Sequence, residues 1–312
     1  MSISTLSVYP SNLPPSSLSK PESSEFVPID VNYLSNNNIK LAGHLYVPAS
    51  YKEGERLPAI VVLHPGGGVK EQTAGTYAAE LTKHGFITLA FDRSTQGASE
   101  GTPRCVEDPY AAIEDTKSAV TYLSVNDKVD PKRIGVFGVC AGGGYAIAAA
   151  SADARVKAVA GASTVDIGLL FAGSLPEEVL ASLVAQAGEN RTEYAKGGEI
   201  KYLPYIPPDV KDSPVLMKEA YDYYLTPRGS HSRSVNKFAL WSYDTLVAFD
   251  AFARIERISP RPLLLIAGTD ADTIEHSRIA IAKAGKPSEL FTVAGATHVD
   301  LYDREVNDLS PS

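Results

Sequence analysis

The residues best suited to chemistry lie in Gly138-Val139-Cys140-Ala141-Gly142. The apolar run Ile134-Gly135-Val136-Phe137-Gly138 leads into the cysteine and a small-residue stretch follows it, which predicts a strand, one sharp turn and a helix opening at Ala141. Such a turn strains the backbone of its apex residue, and small residues two before and two after it prevent collision with the neighbouring strand and helix. A helix N-terminus offers N–H groups and the positive end of a dipole, so the thiol is expected to have a lowered pKa and enriched thiolate. The chemistry this predicts is covalent attack on an acyl carbon. The competing account is a small buried hydrophobe, a common fate of free cysteine; it is the better account of Cys105, which has no elbow and no nearby base in the sequence.

A nucleophile of this kind needs a base, an acid to orient the base, and donors for the oxyanion. His298, in Gly295-Ala296-Thr297-His298, follows the last apolar run of the chain and is the expected base. His44 falls in an early strand, His84 and His276 on helices, and His231 in a long irregular stretch. Gly268-Thr269-Asp270-Ala271-Asp272, after the penultimate run, offers two carboxylates; Asp272 is favoured over Asp270, with Asp166 a third candidate and turn or cap roles for the others. The oxyanion donors expected are the N–H of Ala141, next to the nucleophile, and that of Gly66 in His64-Pro65-Gly66-Gly67-Gly68, with Gly67 the next choice.

The elements that must position these residues are legible as rhythm. Residues 1–25 carry Pro10, Pro14, Pro15 and Pro21 among many serines, the composition of a mobile arm. Extended runs at 26–33 and 39–47 flank Asn36-Asn37-Asn38 and predict an antiparallel pair. Apolar runs then alternate with helical segments: strands at 59–63, 87–91, 134–138 and 156–160, and helices at 71–84, 108–123 and 141–151. Alternation with no polar strand face means a mostly parallel central sheet with helices on both faces. From about 164 to 260 the alternation stops and aromatics gather, Tyr205, Tyr224 and Trp241 among them, which predicts an inserted lid. The sheet resumes at 263–267, with a helix near 275–284 and a last strand at 290–293.

Composition narrows the class. The 312 residues carry a formal net charge of -8, and no basic stripe stands out, which argues against binding the phosphate backbone of nucleic acids. Two cysteines imply no disulfide framework, and neither a signal-like start nor a run of about eighteen apolar residues is present, so a cytoplasmic protein without membrane partners is expected. No metal-ligand spacing is present, and neither metal nor cofactor is expected.

With these segments placed, the chain resembles the α/β-hydrolase superfamily over roughly residues 26–303. It resembles more closely a branch of bacterial hydrolases and fungal polyketide transferases of secondary metabolism, some of them from plant-toxin gene clusters. The resemblance rests on 64–72 (HPGGGVKEQ), on 130–143 (DPKRIGVFGVCAGG) and on 296–303 (ATHVDLYD). Dienelactone hydrolases are similar at the elbow, where they also place cysteine, although the long insert fits them less well. The resemblance implies one α/β-hydrolase domain over 26–312, a chain order of nucleophile, acid, histidine, and ester or thioester chemistry. The substrate implied is a small acyl group, delivered as a thioester on a carrier or coenzyme A and released to water or an alcohol. These folds follow the histidine with a long helix, whereas the residues after His298 do not begin one, so part of an apolar sheet face is expected to lie open.

Two other functions compete. A non-catalytic hydrolase-fold protein would bind a ligand or partner, and the distance from the Cys140 sulfur to the His298 ring separates it from an enzyme. A dinucleotide loop at 135–144 is weaker, because the glycines do not follow Gly-x-Gly-x-x-Gly.

Overall fold

Strands buried on both faces are stable only between two helical layers, and that requirement organises the molecule. The computed structural model describes residues 27–306; the arm expected at 1–25 lies outside the described residues. In chain order the elements are β1 (Ile29–Leu34), β2 (Lys40–Tyr46), β3 (Leu57–Leu63), α1 (Thr73–Lys83), β4 (Ile87–Phe91), α2 (Pro109–Ser124), β5 (Val129–Val139), α3 (Ala141–Ala152) and β6 (Val156–Ala162). There follow α4 (Ile167–Gly173), α5 (Glu177–Ala195), β7 (Tyr202–Leu203), α6 (Val215–Leu225), β8 (Phe238–Ala239), α7 (Tyr243–Leu246), β9 (Leu263–Gly268), α8 (Ile274–Lys283), β10 (Ser288–Val293) and α9 (Asp300–Asp303).

Eight strands form one sheet in the order β1-β2-β4-β3-β5-β6-β9-β10. The β1–β2 and β2–β4 pairs are antiparallel, and the remaining pairs are parallel. Alternate residues of one strand serve the two faces: Val61 and Leu63 pack with Ala119, Val120, Leu123 and Ile147 of α2 and α3, whereas Val62 packs with Ala74, Tyr77 and Ala78 of α1. Local chemistry fixes the boundaries. Asp108 caps α2 by accepting from the N–H groups of Tyr110 and Ala111, with Pro109 in the first turn. Gly85, at φ +87°, ends the turn after α1.

Between β6 and β9 the chain leaves the sheet and lays α4, α5, α6 and the short β7–β8 pair over its C-terminal end, seating Phe238, Leu240 and Trp241 in a separate apolar cluster. On the α1 side, toward β10, a groove of about 790 Å³ runs along the N-terminal halves of β3, β5, β6 and β9, lined by Ile60, Phe137, Ala158, Ala160 and Leu264. It is an open, largely apolar stretch of sheet face with Lys132, Lys157, Lys286 and Glu289 at its borders. Among the described residues no single helix is long and apolar enough to cross a membrane, and no cluster of three or more metal-ligating side chains occurs.

Candidate active site

Open parallel sheets present their loops for function at the C-terminal ends of the strands, and four strands deliver the groups of this site there. Cys140 follows β5, Gly66 follows β3, Thr273 follows β9 and His298 follows β10. The backbone of Cys140 takes φ +56°, ψ -123°, the strained apex expected of the elbow. It is locked on both sides, with Cys140 N–H donating to the Ala162 carbonyl at 3.0 Å and the Cys140 carbonyl accepting from Gly143 and Val165 at 3.0 and 3.1 Å. A Cβ on Gly138 would lie 2.1 Å from the Gly142 carbonyl oxygen, and one on Gly142 2.7 Å from the carbonyl oxygens of Leu63 and His64. Glycine is therefore required at both positions.

Around the thiol converge the N–H groups of Ala141 and Gly66 and the hydroxyl of Tyr302, all within hydrogen-bonding reach of the sulfur. The two N–H groups are the donors expected from sequence. Burial nonetheless pushes the thiol above its ordinary range, and these three donors, which favour thiolate, do not offset it. The lowered thiol pKa expected from the helix N-terminus is thus corrected: desolvation at a half-buried apex outweighs the end of α3.

The neighbours of His298 also differ from expectation. Its Nε2 faces the Tyr302 hydroxyl at 3.2 Å, and its Nδ1 shares a short hydrogen bond with the Thr273 hydroxyl. Among the described residues no hydrogen bond joins the sulfur to the imidazole, and the Tyr302 hydroxyl reaches both. Asp272 does not meet the histidine; its Oδ2 accepts from the N–H of Leu216 at 3.2 Å, at the start of α6. Asp270 accepts from the Thr269 hydroxyl at 2.9 Å. Asp166 caps α4 by accepting from Gly168 and Leu169, and also holds Ala251 N–H at 2.9 Å. Among the described residues no hydrogen bond or ion pair joins Asp272 to His298, and Thr273, one residue further along, faces the ring. Burial lowers the His298 pKa to about 3, with His276 adding to the effect. Both shifts favour the neutral forms of thiol and imidazole.

Besides Thr273, sequence reasoning missed two groups. Tyr302 lies four residues after His298, and α9 brings that i, i+4 pair to one side; the spacing was its only signal. The other is a fully buried ion pair beneath the elbow, Arg93 with Glu107, in which Glu107 also accepts from the hydroxyls of Tyr145 and Tyr205. Glu107 is held below the usual carboxylate range because Arg93 and these hydroxyls outweigh its burial. Tyr205 packs its ring over Gly67, where a Cβ would come within 2.9 Å, and so joins the segment between β6 and β9 to the loop after β3.

Between these groups and α6 lies a cavity of about 110 Å³, lined by Cys140, Gly66, Tyr205, Leu216, Tyr224 and Tyr302 among others. Its walls are mostly apolar. The much larger groove on the sheet face shares no lining residue with it, and the Cys140 thiol opens on the small cavity.

The arrangement has relatives. Residues 41–166, which include the elbow, match the dienelactone hydrolase family. The chain is 40% identical over 281 residues to protein PA2218 of Pseudomonas aeruginosa, covering 88% of this chain and 76% of the relative. The crystal structure of PA2218 matches with a TM-score of 0.86 over 91% of this chain and 90% of that one. Protein YcjY of Escherichia coli is 38% identical over 281 residues, 88% of this chain and 92% of the relative. The polyketide transferase grgF of a Penicillium species is 26% identical over 284 residues, 90% of this chain and 92% of the relative. Sheet order, elbow and these similarities together place the chain in the α/β-hydrolase superfamily, as a hydrolase or acyltransferase related to the fungal polyketide transferases.

Proposed function

We propose that the protein transfers an acyl group from a thioester or ester through a covalent intermediate on Cys140, as a thioesterase or acyl (polyketide) transferase of fungal secondary-metabolite or toxin biosynthesis. The observation that carries this reading is the convergence of the Ala141 and Gly66 N–H groups on the Cys140 sulfur at the wall of an apolar cavity. Donors placed there hold the oxyanion formed when sulfur adds to a carbonyl. His298 is the final store of the thiol proton, oriented by Thr273 where a carboxylate was expected. Cysteine suits a thioester donor because sulfur-to-sulfur acyl exchange is close to balanced, leaving the second step to decide between water and an alcohol.

The cavity favours a short acyl group. Sites for drug-sized ligands span about 300–1,000 Å³, whereas about 110 Å³ is open beside Cys140; a longer chain requires α6 and the loop bearing Tyr205 to move outward. The test is turnover of acyl-thioesters of graded length, with and without alcohol acceptors. Free acid as sole product marks a hydrolase and ester a transferase, while full turnover by Cys140→Ala overturns the reading.

One observation favours a second reading, a hydrolase-fold binding protein: Tyr302 separates the thiol from the imidazole. Under that reading the cavity binds a small apolar ligand reversibly, and Cys140→Ala binds it as well as the native protein does.

A further inference from the structure

We propose that the Tyr302 hydroxyl carries the proton between Cys140 and His298, so that the residue separating nucleophile from base is itself catalytic. The hydroxyl touches both partners: it lies within hydrogen-bonding reach of the sulfur and 3.2 Å from Nε2 of His298. A hydroxyl both donates and accepts, so one oxygen serves the two ends at once.

The transfer balances. As sulfur bonds the acyl carbon, the S–H bond breaks and its proton forms a new bond to the Tyr302 oxygen. The original Tyr302 O–H bond breaks at the same time, and that proton bonds Nε2. The result is a tetrahedral adduct on the Cys140 sulfur, its oxyanion facing the Ala141 and Gly66 N–H groups, together with a neutral tyrosine and an imidazolium; S-acyl cysteine forms when the leaving group departs. When the leaving group departs, the relay runs in reverse and supplies it with a proton. For Nε2 to take the proton the ring must be the Nδ1–H tautomer, and the Thr273 hydroxyl is placed to accept from that Nδ1–H.

The surroundings hold the oxygen in place. The Tyr302 ring is buried, edge-on to Tyr223 and Tyr224 with centroids 5.2 and 6.2 Å away. Its backbone is tied down from both sides, the carbonyl accepting from the Thr73 hydroxyl at 2.8 Å and the N–H donating to Val299 at 3.0 Å. The titratable groups that face it are Cys140, His298, Tyr223 and Tyr224. A side chain serving only as a plug has no need of a hydroxyl aligned with both reacting partners.

The proposal rests on Cys140 being the nucleophile, and its test reads thiolate formation without any acyl substrate. The probe is iodoacetamide on the full-length protein, with alkylation at Cys140 followed by peptide mass and separated from Cys105. Tyr302→Phe, which keeps the ring, is expected to slow alkylation at neutral pH by ~100-fold, the usual scale of a lost proton-transfer partner. His298→Ala is expected to slow it equally, and the double variant no further, because links in series are lost only once. Equal or faster alkylation of Tyr302→Phe identifies the hydroxyl as a plug and overturns the proposal, as do additive losses. Should Tyr302→Phe fail to fold, the native protein decides in H2O/D2O mixtures: a curved dependence of the alkylation rate on deuterium fraction, as two moving protons give, supports the relay, and a straight line overturns it. Turnover by Cys140→Ala would defeat the proposed function while leaving this readout intact.

Discussion

Thr273 and His298 share a short hydrogen bond between hydroxyl and Nδ1, so the imidazole is oriented by a neutral group. A carboxylate in that place would stabilise imidazolium; a hydroxyl sets the ring angle and leaves the ring neutral. Asp272→Asn is therefore expected to keep turnover within about threefold of native, whereas triads that depend on the acid lose orders of magnitude on the same change. Thr273→Val is expected to lower kcat by about tenfold, with KM little changed, through loss of one orienting hydrogen bond. Steady-state kinetics on both variants decides, and a thousandfold loss in Asp272→Asn would restore the carboxylate.

Stability is expected to fall as pH drops below 6.5. His298 is lowered to about 3 and His64 to about 4, each chiefly by burial. His64 is committed to the neutral form, with Nδ1 donating to the Pro65 carbonyl at 2.7 Å and Nε2 accepting from Arg93 N–H at 3.4 Å. Both folded values lie below the unfolded one, so the unfolded chain binds more protons under pH 6.5. Each histidine then removes roughly 1.4 kcal/mol per pH unit until its own folded pKa is reached. Asp115, raised to about 6 chiefly by burial, acts in the opposite sense between pH 6 and 3.8 and offsets part of the loss. Urea midpoints from pH 7 to 4 test this, and a flat profile would contradict it.

Glu107→Gln is expected to destabilise the fold by about 3–5 kcal/mol, the cost of stranding one charge of a buried pair. Arg93 and Glu107 are both buried, and the carboxylate also anchors the Tyr145 and Tyr205 hydroxyls. Replacing both partners with apolar residues should be milder than either single change. Chemical denaturation of the three variants reads the difference, and a single change costing under 1 kcal/mol would count against the pair.

Tyr224 places a buried hydroxyl at the cavity wall within reach of the Tyr302 hydroxyl but without a hydrogen bond of good geometry. A stranded hydroxyl costs about 1–3 kcal/mol. Tyr224→Phe is expected to melt at or above the native temperature, and a drop of several degrees would show that the hydroxyl is satisfied in solution.

Much of the frame was legible because it follows from local rules. Apolar runs such as Ala59–Leu63 and Ile87–Phe91 have no polar face, and that alone demands a covered parallel sheet. The elbow was legible for a similar reason: Gly138 and Gly142 leave no room for a Cβ. What failed depended on distance and enclosure. Asp270, Asp272 and Thr273 are neighbours in sequence, and only the exit of β9 decides which of them faces His298. The thiol was expected to acidify at the start of α3, but how deeply it is enclosed depends on Tyr205, Leu216 and Tyr224 arriving from the segment after β6. Tyr302 lies in the same 296–303 segment as His298, and nothing in the spacing places its hydroxyl between base and nucleophile.

The most direct test of Cys140 as a covalent nucleophile is intact-protein mass spectrometry after rapid mixing with a short acyl-thioester, followed by peptide mapping. The account predicts one added acyl mass on Cys140 that decays as product forms and is missing from Cys140→Ala. Turnover with no acylated cysteine at any time, or an adduct on another residue, would contradict it.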